Sequence, residues 1–186
     1  MAEELDLDDV ERRMAGAVEA LRKDFSGLRT GRASATLLDG VMVNVYGSDM
    51  PLNQIGSVNV PESRLISVQI WDRNNVGAAE KAIRNSGLGL NPATEGATIR
   101  VPIPELTEER RRDLTKVAGQ YAEQGRIAVR NIRRHAMDEL KKLEKAGEMS
   151  QDDQRLYADE VQAQTDRIIK EIDDLLEVKQ QEIMQV

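Results

Sequence analysis

The segment from about Thr107 to Lys145 constrains the fold most, because it keeps a helical pattern throughout and contains no proline. Thr107 precedes Glu108 and Glu109, which is typical of a helix start, and Gly147 suits its end. Such a helix would be roughly 60 Å long and could not bury its apolar stripe alone. The predicted stripe comprises Leu114, Val117, Tyr121, Gly125, Ala128, Ile132, His135, Leu140 and Leu143.

Two other segments carry the same period and supply the missing partners. Apolar residues recur at steps of three and four from about Leu7 to Leu28, and again from Ser150 to Met184. Ser150 is a hydroxyl residue suited to cap the start of the last helix. We therefore expect an elongated, antiparallel three-helix bundle.

Residues 31–104 have a different pattern, which predicts a small β/α/β domain. Val41, Val43 and Val45 alternate with Met42, Asn44 and Tyr46, as in a strand. Further strands are expected at about 55–60, 65–71 and 99–103. A short helix is expected at 76–85. The predicted class is α+β, with residues 1–30 and 105–186 forming the bundle and 31–104 inserted between them. Two chain crossings join the domains, and two crossings permit a hinge.

The charge distribution points to one surface. The chain has a net charge of −7, yet residues 105–147 hold 11 basic and 8 acidic residues. Four arginines within this segment fall in an arc of roughly 100° on a helix, and no acid lies among them. Arginine suits phosphate because its planar fork donates two parallel hydrogen bonds. The four are Arg126, Arg130, Arg133 and Arg134.

A second interpretation of these arginines is equally open at this point. They could form ion pairs with the acidic first or third helix across the bundle. Arg29 and Arg32 flank the first crossing and could be solvated linker charges.

Enzymatic signatures are weak in this sequence. His135, the only histidine, has no nucleophile near it in sequence, and a partly buried structural role is favoured. Trp71 and Tyr46 could stack on a base, although core packing is the stronger expectation. There is no cysteine, no metal-ligand spacing and no complete phosphate-binding loop. We expect no catalytic residue, no cofactor and no metal.

A set of motifs from about residue 10 to the C-terminus resembles the ribosome recycling factor family. Each motif alone is weak, but their order and spacing together are specific. They are Leu28-Arg-Thr-Gly-Arg-Ala-Ser34, Leu37-Leu-Asp-Gly40, Trp71-Asp-Arg73, Glu80-Lys-Ala-Ile83, Leu88-Gly-Leu-Asn-Pro92, Ile99-Arg-Val-Pro102, Leu106-Thr-Glu-Glu-Arg-Arg111, Val129-Arg-Asn-Ile-Arg-Arg134 and Gln164-Thr-Asp166.

The resemblance implies an L-shaped protein, similar to transfer RNA in outline, that binds the post-termination bacterial ribosome. With elongation factor G and GTP it would promote dissociation into subunits. The contacts to large-subunit ribosomal RNA would come from Arg29, Arg130 and Arg133, with Arg126 and Arg134 beside them. The hinge would comprise Thr30, Gly31, Arg32, Ala33, Ser34, Ala35, Pro102, Ile103 and Pro104.

Two other functional classes are alternatives to this function. A helical scaffold, working by protein contacts as a coiled-coil dimer, is compatible with the long stripes. An enzyme on the small domain would need a cofactor or nucleophile that the sequence does not offer. We expect a cytoplasmic monomer with no DNA or membrane partner, because residues 1–9 are acidic and resemble neither a signal nor a transit peptide.

Overall fold

The computed structural model describes residues 5–28, 30 and 32–185. The chain divides into two compact units, Met1–Leu28 with Arg112–Glu182 and Arg29–Arg111 with Ile183–Val186. The helices are α1 (Leu7–Ser26), α2 (Val76–Arg84), α3 (Glu108–Lys145) and α4 (Gln151–Met184). The strands are β1 (Met42–Val45), β2 (Ser48–Pro51), β3 (Gly56–Glu62), β4 (Leu65–Ile70), β5 (Ala93–Glu95) and β6 (Thr98–Pro102).

The long helices begin where the sequence places capping residues. Thr107 Oγ1 accepts from the Arg110 N–H at 3.1 Å, and Ser150 Oγ accepts from the Asp153 N–H at 3.1 Å. Each contact satisfies a backbone donor that the first helical turn leaves unpaired. The predicted starts of α3 and α4 are confirmed.

Gly147 ends α3, as predicted. Its φ of +72° lies in the left-handed region, where a side chain would be strained. The N–H groups of Gly147 and Glu148 donate to the carbonyls of Glu144 and Leu143 at 3.1 and 3.0 Å. These two bonds form a Schellman motif, which turns the chain from α3 into α4 within a few residues.

The first unit is a bundle of α1, α3 and α4. Arg126 and Arg133 of α3 contact Asp173 and Gln162 of α4, so these helices are antiparallel. Leu7 and Arg22 of α1 contact Gln164 and Glu171 of α4 in the same order, so α1 and α4 are parallel. The predicted antiparallel three-helix arrangement is confirmed.

The predicted stripe of α3 was right at Leu114, Gly125, Leu140 and Leu143, which are buried, and wrong at its other five positions. Val117, Tyr121, Ala128 and Ile132 are only partly buried, and His135 is exposed rather than partly buried. The observed stripe is rotated by roughly 60° toward the arginines. Most of the buried residues that the prediction missed are alanines, whose small side chains give little hydropathy signal. The buried residues are Leu114, Ala118, Ala122, Gly125, Val129, Ala136, Leu140 and Leu143.

The second unit contains two antiparallel sheets and α2. Strands β1 and β2 form a hairpin, and the larger sheet has the order β3-β4-β6-β5. Strands β2 and β5 were not predicted, because each is short and largely exposed. The core of this unit includes Val43, Ile66, Val68, Ala79, Ile83, Ile99 and Val101, each fully or almost fully buried.

Tyr46 and Trp71 lie outside this core, which corrects the expectation that they pack inside. The two side chains are 81% and 66% exposed. Ile70, the last residue of β4, is buried, and Trp71 follows it with its side chain in solvent. No helix in the described part of the chain is long and apolar enough to cross a membrane.

Candidate nucleic-acid interface

The middle of α3 carries the four predicted arginines, and the structure divides them by their partners. The rotated stripe brings Arg126 and Arg133 to the edge of the buried face, next to α4. Arg130 and Arg134 project farther from it, into solvent. Position on the helix therefore decides which guanidinium groups reach α4, and only Arg126 meets an acidic residue there.

Arg126 is an internal ion-pair residue. Its Nε donates to Asp173 Oδ1 at 2.9 Å, and its NH1 lies 3.0 Å from Glu123 Oε2. Its side chain is only 19% exposed. Partial burial alone would lower the pKa of Arg126, but hydrogen bonds to Asp173 and Glu123 outweigh it and raise the pKa. Two carboxylates thus hold this cation: Asp173 of α4, as the ion-pair interpretation expected, and Glu123 of α3 itself.

Arg130 is held more loosely. Its NH1 lies 3.3 Å from Glu123 Oε1, and the side chain remains 54% exposed. Glu123 is shared, because its other oxygen accepts from Arg126. The hydrogen bond from Arg126, followed by the charges of Arg130 and Arg126, lowers the pKa of Glu123 against a smaller effect of desolvation. One shared carboxylate at the surface leaves most of the Arg130 guanidinium available.

Arg133 has a neutral partner on α4. Its Nε donates to Gln162 Oε1 at 2.7 Å. Gln162 donates onward from Nε2 to Asp166 Oδ1 at 2.8 Å. Nε is only one of the guanidinium donors, so the terminal nitrogens stay free to donate elsewhere.

Arg134 also has a neutral partner. Its NH2 donates to Asn131 Oδ1 at 2.8 Å, one turn earlier on α3. Among the residues that the structure describes, neither Arg133 nor Arg134 forms a salt bridge. We name Arg130, Arg133 and Arg134 the arginine face.

The chemistry of the arginine face suits a phosphate chain. Guanidinium groups donate charge-assisted hydrogen bonds to phosphate oxygens, often in pairs. Side-chain amides on Gln162 and Asn131 orient two of the groups without neutralising their charge. In the described residues there is no cluster of three or more His, Cys, Asp or Glu side chains placed to bind a metal.

The predicted hinge residues lie in the second unit, mostly in hydrogen-bonded positions. The Ala33 N–H donates to the Ser63 carbonyl at 2.7 Å, and the Ile103 N–H donates to the Arg64 carbonyl at 2.8 Å. Ser34 caps the short 3-10 helix that begins at Ala35, and Pro102 ends β6. Arg29 and Gly31 lie outside the described residues.

Sequence reasoning missed Gln162, Asn131 and Asp173 as partners of the arginines, and Asp166 as the partner of Gln162. Asn131 lies inside the arginine motif, and Asp166 lies inside the motif Gln164-Thr-Asp166, so both were in view. The sequence did not show which residues of α3 and α4 face each other, because this register depends on the length of the turn and the orientation of both stripes. Only that register places Gln162 against Arg133 and Asp173 against Arg126.

Known proteins resemble this chain along almost its entire length. A family model described as "Ribosome recycling factor" matches residues 21–184. The ribosome-recycling factor of Rhodospirillum centenum is 63% identical over 183 residues, covering 98% of this chain and 99% of the relative.

Solved structures agree with the sequence relatives. A solution structure of the ribosome recycling factor superimposes with a TM-score of 0.75 at 41% identity, covering 99% of this chain and 100% of that one. A second structure contains the T. thermophilus ribosome recycling factor and the E. coli elongation factor G bound to the E. coli post-termination complex. Its matching chain has a TM-score of 0.64 at 46% identity, with 97% and 100% coverage.

Proposed function

The chain belongs to the ribosome recycling factor family, and we propose that its arginine face is the surface that binds large-subunit ribosomal RNA. Its function is that of a translation factor. It binds the post-termination bacterial ribosome and, with elongation factor G and GTP, promotes dissociation into subunits for a new round of translation.

The observation that carries the RNA-binding proposal is the neutral pairing of Arg133 and Arg134. If carboxylates held all four arginines, the bundle would already use the charge that phosphate requires. Instead, Gln162 and Asn131 accept from Arg133 and Arg134 and leave their charge uncompensated. Arg126, which two carboxylates hold, is best explained as a structural residue, and we no longer assign it to RNA.

We propose that any hinge between the two units comprises fewer residues than the sequence predicted. The backbone bonds of Ala33 and Ile103 to the turn between β3 and β4 belong to the second unit. Bending at these positions would break a backbone hydrogen bond, whereas Pro104 has no N–H to lose. The pivot would then lie before Ala33 on one crossing and after Ile103 on the other.

The remaining assignments follow from the ribosome as partner. We propose a cytoplasmic location, because bacterial ribosomes are there. We further propose that the chain is not itself an enzyme and that GTP hydrolysis belongs to elongation factor G. Arg29 stays a proposed RNA contact from the family resemblance alone.

The direct test is polysome breakdown with purified ribosomes, elongation factor G and GTP, with and without this chain. Subunits should accumulate only when all components are present. A variant with Arg130→Ala, Arg133→Ala and Arg134→Ala should lose this activity. The matched control is Lys141→Ala, Lys142→Ala and Lys145→Ala, which removes the same charge from the same helix.

Two outcomes would contradict the proposal. Breakdown that proceeds equally without the chain would remove the recycling function. Full activity of the arginine variant, with the lysine variant also active, would keep the function but remove the arginine face as its RNA contact.

A further inference from the structure

The second unit exposes two aromatic side chains beside a carboxylate. The Tyr46 hydroxyl donates to Asp72 Oδ2 at 2.9 Å, and Trp71 is the chain neighbour of Asp72. The Asn74 N–H donates to the other oxygen, Oδ1, at 3.0 Å. We name Tyr46, Trp71 and Asp72 the aromatic-acid patch.

The aromatic residues of this patch stand in solvent although the second unit has a core. Tyr46 and Trp71 are 81% and 66% exposed, and Trp71 is the only tryptophan of the chain. Large aromatic rings contribute most when they are buried, and they are enriched where proteins meet partners. Tyr46 is joined to Asp72 by a hydrogen bond and Trp71 precedes Asp72 in the chain, and exposed aromatic rings of this kind mark a surface that a partner would cover.

The backbone conformation of Tyr46 is a second observation that supports a binding surface here. Tyr46 and Gly47 form the two-residue turn between β1 and β2, with φ values of +53° and +83°. Positive φ at both positions is the requirement of a type I′ turn, in which asparagine or glycine usually comes first. A bulky residue is unfavourable there, so the turn holds the ring at a conformational cost.

Asp72 is free of cationic partners in the part of the chain that the structure describes. The salt bridges of the second unit join Arg64 to Glu105, Arg84 to Glu80 and Arg100 to Glu95, and none includes Asp72. The two hydrogen bonds fix the carboxylate in position. Its charge contributes to the raised pKa of Tyr46, after the hydrogen bond itself.

We propose that the aromatic-acid patch binds an arginine side chain of a protein partner. A guanidinium pairs with a carboxylate through its fork and stacks on aromatic rings with its flat face. The negative charge of Asp72 disfavours the alternative occupant, a stacked RNA base, because the attached phosphates would be repelled. The patch belongs to the second unit and the arginine face to the first, so the two surfaces serve different contacts of the same protein.

The test uses the full chain and the fluorescence of Trp71, with no ribosome present. The probe is a blocked peptide, Gly-Arg-Gly-Arg-Gly, compared with the same peptide carrying neutral citrulline and with octauridylate. The arginine peptide should change the fluorescence saturably, and the citrulline peptide should not. Asp72→Asn keeps the size of the side chain and one of its two acceptor oxygens, and should weaken binding by about tenfold.

Controls separate binding from folding. Glu95→Gln removes a charge elsewhere on the second unit and should bind the peptide as the original chain does. Tyr46→Phe keeps the ring and removes the hydroxyl, so it should weaken binding less than Asp72→Asn. Circular dichroism and melting should match across all variants.

Three results would overturn the proposal. They are no saturable response of the original chain to the arginine peptide, equal affinity of the Asp72→Asn variant, or tighter binding of octauridylate than of the peptide. The last would make the patch a base-stacking surface. None of these results bears on polysome breakdown, so the two proposals fail separately.

Discussion

Arg133 on α3 and Gln162 on α4 are joined by a 2.7 Å hydrogen bond from Nε to Oε1, across the seam between the two helices. The acceptor is neutral, and a hydrogen bond to Asp166 holds it in turn. The carboxylate is therefore one side chain removed from the cation. This relationship orients the guanidinium while leaving its charge for an external anion.

Replacing Arg133 should weaken ribosome binding without disturbing the bundle. Arg133→Ala removes a phosphate contact, so affinity should fall by about tenfold and the salt dependence should decrease by about one counterion. Binding to purified ribosomes at several salt concentrations measures both. Helicity and melting temperature should match the original chain, and a variant that loses its fold would show that Arg133 is structural.

Changing only the partner of Arg133 should have a similar effect. Gln162→Glu adds no bulk but places a carboxylate against the guanidinium, which would then form an internal ion pair. It also replaces the hydrogen bond that Gln162 donates to Asp166 with repulsion between two carboxylates. Ribosome binding should weaken although every arginine is still present. The control is Gln181→Glu, which makes the same charge change at an exposed position of α4. Equal loss in both variants would mean that net charge, rather than pairing, decides affinity.

Arg126→Ala should show the opposite pattern, a loss of stability with little loss of binding. The side chain is only 19% exposed, and its hydrogen bonds to Asp173 and Glu123 link α3 to α4. Their loss should cost about 1 to 2 kcal/mol. Each kcal/mol lowers the melting temperature of a chain of this size by about 2 to 4 °C. If the Arg126→Ala variant instead melts at the same temperature as the original chain but binds ribosomes poorly, Arg126 is an RNA contact rather than a structural residue.

The stability contributed by Glu123 should depend on pH. Its pKa is lowered from 4.5, chiefly by the hydrogen bond from Arg126. A group with a lower pKa in the folded state stabilises fully above its unfolded pKa, and the effect is lost as pH falls through the folded pKa. At neutral pH the original chain should therefore have a higher melting temperature than the Glu123→Gln variant, and this difference should vanish in acid. The control is Glu177→Gln, which makes the same change at an exposed position of α4.

Hydrogen exchange should locate the hinge. The amides of Ala33 and Ile103 donate to the turn between β3 and β4, so they should exchange slowly. The amide of Arg32 has only a weak contact, 3.4 Å from Thr30 Oγ1, and should exchange faster. Fast exchange at Ala33 and Ile103 would restore the wider hinge predicted from the sequence.

Most helix boundaries were predictable because capping is local chemistry. Thr107, Ser150 and Gly147 act on backbone groups within a few residues of themselves, so their roles follow from the neighbouring sequence. The strands β2 and β5 were not predictable in this way. Each is stabilised by its pairing with a neighbouring strand rather than by a pattern of its own.

The local sequence pattern also failed to predict which side chains are buried where small residues line a helix contact or a large ring is exposed. Ala118 and Ala122 line the buried face of α3 at positions that the predicted stripe omitted, while the larger Tyr121 and Ile132 are partly exposed. Close packing of helices favours small residues at the contact, and hydropathy ranks them low. The prediction for Trp71 was wrong in the opposite direction, because a large aromatic ring is usually buried and this one is exposed.

The sequence by itself determined the three long helices, the inserted small domain, the cluster of arginines and the family. These depend on periodicity, capping and motif order, which are properties of residues close together in the chain. Tertiary structure alone decided which arginines keep their charge for a ligand. Whether a guanidinium on α3 meets Asp173 or Gln162 depends on the register between helices, and a rotation of roughly 60° exchanges one neighbour for another.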